Sequence, residues 1–83
     1  MFAYLKGVLG IKNRDSVVLD VNGVGYKVFI PYSTYQLLPE TGTEVKLSTY
    51  MAIRENDISL FGFFSCEELR IFELLISVSG IGP

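Results

Sequence analysis

The stretch SVVLDVNGVGYKVFI, residues 16–30, decides the fold of this sequence. Asn22 and Gly23 tolerate the positive φ angles that a type I′ turn requires, and an Asn-Gly pair between two apolar runs is the strongest short-range sign of a β-hairpin. In the second run, apolar side chains alternate with others, as expected for a strand with one buried face. The stretch therefore predicts two antiparallel strands, residues 16–21 and 24–30, joined by a tight turn.

Further strands are predicted on both sides of this hairpin. Residues 1–11 are rich in aromatic and β-branched side chains, and Gly7 and Gly10 permit the bends that a small barrel needs. Residues 58–63 form another strand, which follows a polar tip at residues 54–57. The strand before that tip, residues 44–53, has one apolar face formed by Val45, Leu47, Thr49, Met51 and Ile53.

The number and order of these strands indicate the fold class. Residues 32–43 are typical of a connection with one helical turn, and they lie between the third and fourth strands. Five short strands with a connecting element at that place fit a five-stranded Greek-key OB barrel. We therefore predict a mainly β chain, with the barrel over residues 1–64 and one α-helix after it.

The helix begins where the period of the apolar residues changes, at Ser65. Ser65 and Glu68 form a capping-box pattern, in which the hydroxyl bonds to one free N–H group at the helix start and the carboxylate reaches back to another. The wide apolar face that follows is formed by Leu69, Phe72, Leu75 and Ile76, with Ile71 and Leu74 beside them. We expect this face to pack within the protein and not to form a groove for a partner.

The last residues indicate a turn between two helices. Gly80 and Gly82 flank Ile81, and Pro83 is a residue favoured at the first position of a helix. Glycine lets a phosphate approach the backbone, and the free N–H groups at a helix start bind it. Residues 65–83 therefore predict the first helix and turn of a helix-hairpin-helix unit. On the residues alone, an ordinary helix C-cap explains the two glycines equally well.

Composition argues against catalysis and gives no sign of nucleic-acid binding. The chain has 83 residues, no histidine, one cysteine and a net charge of -2. We therefore expect no zinc site, no Ser-His or Cys-His pair, no catalytic residues, and no metal or cofactor. A strongly electrostatic DNA-binding protein is usually more basic. The single cysteine and the lack of a long apolar run predict a cytoplasmic chain without a membrane span.

Four segments in order resemble the RuvA family. They are residues 1–7 (MFAYLKG), residues 21–28 (VNGVGYKV), the pair Arg54-Glu55 followed by residues 60–63 (LFGF), and residues 77–83 (SVSGIGP). Each segment alone is weak, because Gly-x-Gly occurs in many turns. Together they span essentially the whole sequence, so the resemblance is specific.

The resemblance implies a protein of three domains in recombination and DNA repair. This chain would contain the first domain, an OB barrel, and the opening of the second. Family members assemble as tetramers that hold four-way (Holliday) junctions. They recruit the RuvB ATPase through a third domain, which we expect this chain to lack. The implied partners are four-way junction DNA, further copies of the chain, and RuvB, and the implied subunit is not itself an enzyme.

The resemblance also assigns two sites. The phosphate-binding turn would be Gly80, Ile81 and Gly82. An acidic pin, which lies at the centre of the tetramer in the family, would be Glu55, Asn56 and Asp57. Asn56 stands where the family usually has aspartate, so the negative charge of this pin is reduced or displaced by one residue. Without the resemblance, a solvated hairpin tip explains these three residues better.

Two other functions fit the sequence. A stand-alone OB module would bind single-stranded nucleic acid on exposed aromatic rings beside lysines. Its aromatic candidates are Tyr4, Tyr26, Phe29, Tyr32, Tyr35 and Tyr50, and its basic candidates are Lys6, Lys12, Lys27 and Lys46. The chain could instead be a purely structural oligomerisation domain, with no dependence on DNA.

Overall fold

A computed structural model of the chain describes residues 2–79, with side chains as far as residue 76. The elements in chain order are β1 (Tyr4–Lys12), β2 (Ser16–Val21), β3 (Val24–Phe29), α1 (Tyr32–Leu37), β4 (Glu44–Arg54), β5 (Asp57–Phe63) and α2 (Cys66–Ser79).

The five strands form a closed barrel in the order β1-β2-β3-β5-β4. β1 pairs antiparallel with both β2 and β4, and β4 pairs antiparallel with β5. The remaining junction is a short parallel one between β3 and β5, with Val28 opposite Leu60 and Phe29 opposite Phe61. α1 connects β3 to β4. The predicted five-stranded barrel of the OB type, followed by one main helix, is confirmed.

The turn between β2 and β3 has the predicted geometry. Asn22 and Gly23 have φ angles of 52° and 88°, and Val21 lies opposite Val24. The Gly23 N–H donates a hydrogen bond of 2.8 Å to the Asp20 carboxylate. A short polar side chain before the turn thus fixes the backbone in the conformation that the Asn-Gly pair permits.

Both glycines of β1 serve barrel closure. Leu9 lies opposite Leu19 and Ile11 lies opposite Val18, so Gly10 is the extra residue of a β-bulge. A Cβ on Gly7 would lie 2.6 Å from the Asp20 carbonyl oxygen, so a side chain at this position would collide with β2. The predicted role of these glycines in bending the strand is thereby explained.

The core lies inside the barrel, and its fully buried apolar side chains are Leu9, Val17, Leu19, Val28 and Leu47. Val45, Leu47 and Thr49 point into it from β4, as predicted. The prediction that Ile53 continues this face is wrong, because Ile53 is 69% exposed. In the described part of the chain, β1 pairs with β4 no further than Ser48, so the end of β4 extends past the body of the barrel.

The start of α2 carries part of the predicted capping box. The Glu68 N–H donates to Ser65 Oγ at 3.3 Å. The Glu68 carboxylate accepts hydrogen bonds from the hydroxyls of Ser65 and Ser33, both at 3.4 Å. Glu68 therefore joins the helix start to α1, a contact that the capping pattern does not predict.

Phe72 attaches α2 to the outer face of β4 and β5. Its ring centroid lies 5.5 Å from that of Tyr50, 5.5 Å from that of Phe61 and 5.1 Å from that of Phe63. The predicted packing role of Phe72 is confirmed. Within residues 2–79, neither helix is long and apolar enough to span a membrane.

Candidate nucleic-acid interface

The three residues predicted as the acidic pin are brought together at one end of the barrel. Glu55 and Asn56 form the two-residue turn between β4 and β5, and Asp57 lies opposite Arg54 at its base. All four side chains are exposed. The tip therefore presents two carboxylates, one amide and one guanidinium to solvent.

The arm that carries this tip projects beyond the barrel. Ile53 lies opposite Ile58, and Ile58 is 64% exposed. Pairing with β3 begins only at Leu60, so this part of the hairpin consists of two strands. The carboxylates at the end of this arm would repel a nearby phosphate. Physiological salt screens this repulsion only weakly at distances below about 8 Å.

The residues predicted as the phosphate-binding turn, Gly80, Ile81 and Gly82, lie outside the described residues. The helix that precedes them, α2, is present as predicted and extends to Ser79. The division between a barrel at residues 1–64 and a second unit at residues 65–83 stays a prediction.

The lysines and aromatic rings of the single-strand alternative do not all gather on one face. Lys46 lies 4.3 Å from the Tyr4 ring centroid on β4 and β1, and Lys27 lies 5.2 Å from the Phe29 ring centroid on β3. β3 is separated from β4 by β5, and from β1 by β2. Tyr50 packs against the helix instead of facing solvent as a platform.

Lys12 is engaged within the protein. Its ammonium group donates to the carbonyl oxygens of Leu38 and Pro39, at 3.1 and 3.3 Å, and lies 5.0 Å from the Tyr35 ring centroid. Lys6 lies 3.8 Å from the Glu44 carboxylate. Lys6 and Lys46 are cross-strand partners on β1 and β4. Lys27 lies apart from them on β3, and Lys12 stabilises the end of α1.

Comparison with known proteins identifies the family of this chain. Residues 1–62 match the model of the RuvA N terminal domain. The chain belongs to the RuvA family. The resemblance predicted from its sequence is confirmed, and the matched residues include β1 to β4 and all of β5 except its last residue.

Curated RuvA relatives match the chain over all 83 residues. The protein of Acetivibrio thermocellus is 54% identical, and the chain covers 41% of its length. The protein of Geobacter sulfurreducens is 55% identical with 42% of its length covered, and that of Thermoanaerobacter pseudethanolicus is 47% identical with 44% covered. Each is named Holliday junction branch migration complex subunit RuvA. The chain therefore spans less than half the length of these RuvA proteins.

Proposed function

We propose that this chain is the amino-terminal part of a junction-binding subunit that acts in Holliday junction branch migration, in recombination and DNA repair. The observation that carries the proposal is the family match across the barrel, together with the shared name of relatives that are identical at about half of the aligned positions. The subunit is a scaffold without catalytic residues of its own. The ATPase of the machine is RuvB, recruited by a part of the subunit beyond these residues.

The barrel has two proposed roles: it holds the copies together in the tetramer, and it carries the acidic pin. Four copies form the tetramer, and Glu55, Asn56 and Asp57 meet near its centre. The projecting arm supports this role, because it holds the Glu55 and Asp57 carboxylates exposed at its end. Negative charge at the crossover keeps phosphates of neighbouring DNA arms from approaching one another there. The grip on the DNA comes from the turn Gly80, Ile81 and Gly82, whose glycines suit a phosphate contact.

The test is the solution mass of the 83-residue chain by light scattering over a concentration series, repeated with a four-armed DNA junction. We expect assembly that does not depend on the junction, because the barrel carries the contacts between copies. A monomer that forms a tight complex with the junction or with a single strand would favour the single-strand module instead.

A chimera separates assembly from DNA binding. Residues 1–83 replace the corresponding part of the Acetivibrio thermocellus RuvA, and binding to a four-armed junction is compared with binding to a duplex of equal length. We expect the chimera to prefer the junction. A chimera that forms tetramers without any preference for the junction would support the purely structural role.

A further inference from the structure

Two strand edges diverge beside the projecting arm. β3 pairs with β2 along its whole length, and β5 pairs with β4 from Asp57 onward. Between β3 and β5, however, pairing begins only at Val28 and Leu60. Residues 24–27 and 57–59 therefore face each other across a wedge-shaped gap in the barrel wall.

The hydrogen-bonding groups along this gap follow from the hairpin registers. Val21 and Val24 flank a two-residue turn, so alternate residues of β3, beginning with Gly25, direct their N–H and C=O groups away from β2. By the same alternation, Ile58 directs its groups away from β4. Within residues 2–79, neither Gly25 nor Ile58 has a strand partner on the side that faces the gap. Both are exposed.

The gap opens into a cleft of about 560 Å³ with an apolar floor. Tyr26, Met51 and Leu60 line it, and the ring of Phe2 meets that of Tyr26 edge-on at 6.2 Å between centroids. An extended segment placed between β3 and β5 would direct alternate side chains onto this floor. The cleft can thus offer both backbone hydrogen-bonding groups and an apolar surface to the same extended segment.

The rim of the cleft carries opposite charges. Lys27 stands on the β3 side, and Asp57 stands on the β5 side. Glu55 is in the adjoining turn. A phosphodiester chain carries a negative charge on every nucleotide, and these charges would be repelled by the carboxylates of Asp57 and Glu55. A peptide can carry a single acidic side chain, which pairs with Lys27.

We propose that this cleft binds an extended peptide segment of a partner protein by strand addition along the edge of β3. The segment has apolar side chains at alternate positions, which cover the floor, and an acidic side chain that reaches Lys27. Backbone hydrogen bonds to Gly25 and Ile58 provide affinity, and the floor provides selectivity. This interaction goes beyond the proposed role in branch migration and does not depend on it.

Amide spectra of the ¹⁵N-labelled 83-residue chain test the proposal. The probe is the end-blocked peptide Glu-Val-Thr-Val-Thr, and its control is the same peptide with N-methyl groups at alternate residues. We expect saturable shifts of the Gly25, Lys27 and Ile58 signals, and binding of the N-methylated peptide at least about tenfold weaker, because methylation removes the N–H donors. Equal binding of the two peptides, or no saturable shift up to about 1 mM, would overturn the proposal.

A charge variant makes the test specific. Lys27→Glu should reverse the preference between Glu-Val-Thr-Val-Thr and Lys-Val-Thr-Val-Thr, whereas Lys46→Glu, on the outer face of β4, should leave that preference unchanged. An unchanged preference in Lys27→Glu counts against the site. Saturable shifts of the same signals with an oligothymidylate would assign the cleft to nucleic acid. The same shifts on raising the protein concentration alone would assign it to a second copy of the chain, and either result overturns the proposal.

Discussion

A Cβ added to Gly62 would lie 2.5 Å from Cγ1 of Val28, across the parallel junction of β3 and β5. Val28 is fully buried, and its branched side chain has few rotamers to which it can move. Leu47 Cδ1 would lie 3.3 Å away on the other side. The absence of a side chain at Gly62 therefore lets the barrel close where its strands are joined by the fewest pairs.

We predict that Gly62→Ala lowers the free energy of unfolding by about 1–3 kcal/mol, the usual cost of overpacking a core. Urea unfolding followed by circular dichroism measures it. Gly10→Ala is the matched control, because the nearest heavy atom to its added Cβ would be at 3.5 Å. The explanation also requires the effect of Gly62→Ala to be smaller in a Val28→Ala background, so additive effects would contradict it.

Lys12→Met should loosen the end of α1. The variant keeps most of the aliphatic stem but loses the hydrogen bonds to Leu38 and Pro39 and the contact with the Tyr35 ring. Because these bonds have a charged donor in a partly buried place, we expect a loss of about 1–2 kcal/mol in urea unfolding. Lys46→Met, which loses an exposed contact with Tyr4, should change stability by less than about 0.5 kcal/mol. Equal losses in the two variants would refute a special role for Lys12.

Phe72→Ala should release α2 from the barrel while the barrel persists. The side chain is partly buried among three aromatic rings, so we expect a loss of about 2 kcal/mol and reduced helical signal in circular dichroism. Ile71→Ala, at a neighbouring exposed position of the same helix, should cost less. A larger effect at Ile71 than at Phe72 would show that α2 is held by another face.

Charge at the hairpin tip should affect junction handling in the chimera described above. Glu55→Lys reverses one charge of the proposed pin, so phosphates can come closer to the crossover. We expect tighter junction binding at low salt, a difference that decreases as salt is added, and an altered branch-migration rate with RuvB present. Glu40→Lys, which makes the same charge change in the loop before β4, is the control. An unchanged rate in Glu55→Lys would argue against the pin assignment.

Asn56→Asp is the complementary change, because it adds a carboxylate to the proposed pin. At low salt, we expect this variant to bind the junction more weakly than the chimera with Asn56, which is the opposite of the change expected for Glu55→Lys. The difference should again decrease as salt is added. Stability should change by less than about 0.5 kcal/mol, since the side chain is exposed. If both substitutions shift binding in the same direction, charge at the tip is not the cause.

Local signals in the sequence predicted the elements of this fold well. The Asn22-Gly23 turn specifies the hairpin through backbone conformation alone, and the change of period at Ser65 marks the helix start. Neither signal depends on distant parts of the chain. The order of the five strands then follows from an architecture that short strands of this kind commonly adopt.

The features that could not be predicted from the sequence depend on the register between distant strands. Val45 and Ile53 belong to one alternating pattern, yet Val45 is buried and Ile53 is exposed, because β1 stops pairing with β4 between them. The gap between β3 and β5 has the same origin. The single-strand hypothesis places Lys12 on a possible binding face, but its partners are main-chain carbonyls 26 and 27 residues away, which no local pattern reveals.

The bulge at Gly10 decides which side of β1 faces inward after it. Before the bulge, Leu5, Gly7 and Leu9 point into the barrel. Strict alternation would send Ile11 inward as well, but the extra residue reverses the order, so Ile11 is 55% exposed and Lys12 turns toward α1. If Gly10 instead took a regular place in the ladder, opposite Val18, the two side chains would be exchanged. An isoleucine would then meet the carbonyl groups of Leu38 and Pro39, and a lysine would be left in water with nothing to hold the connection between β3 and β4.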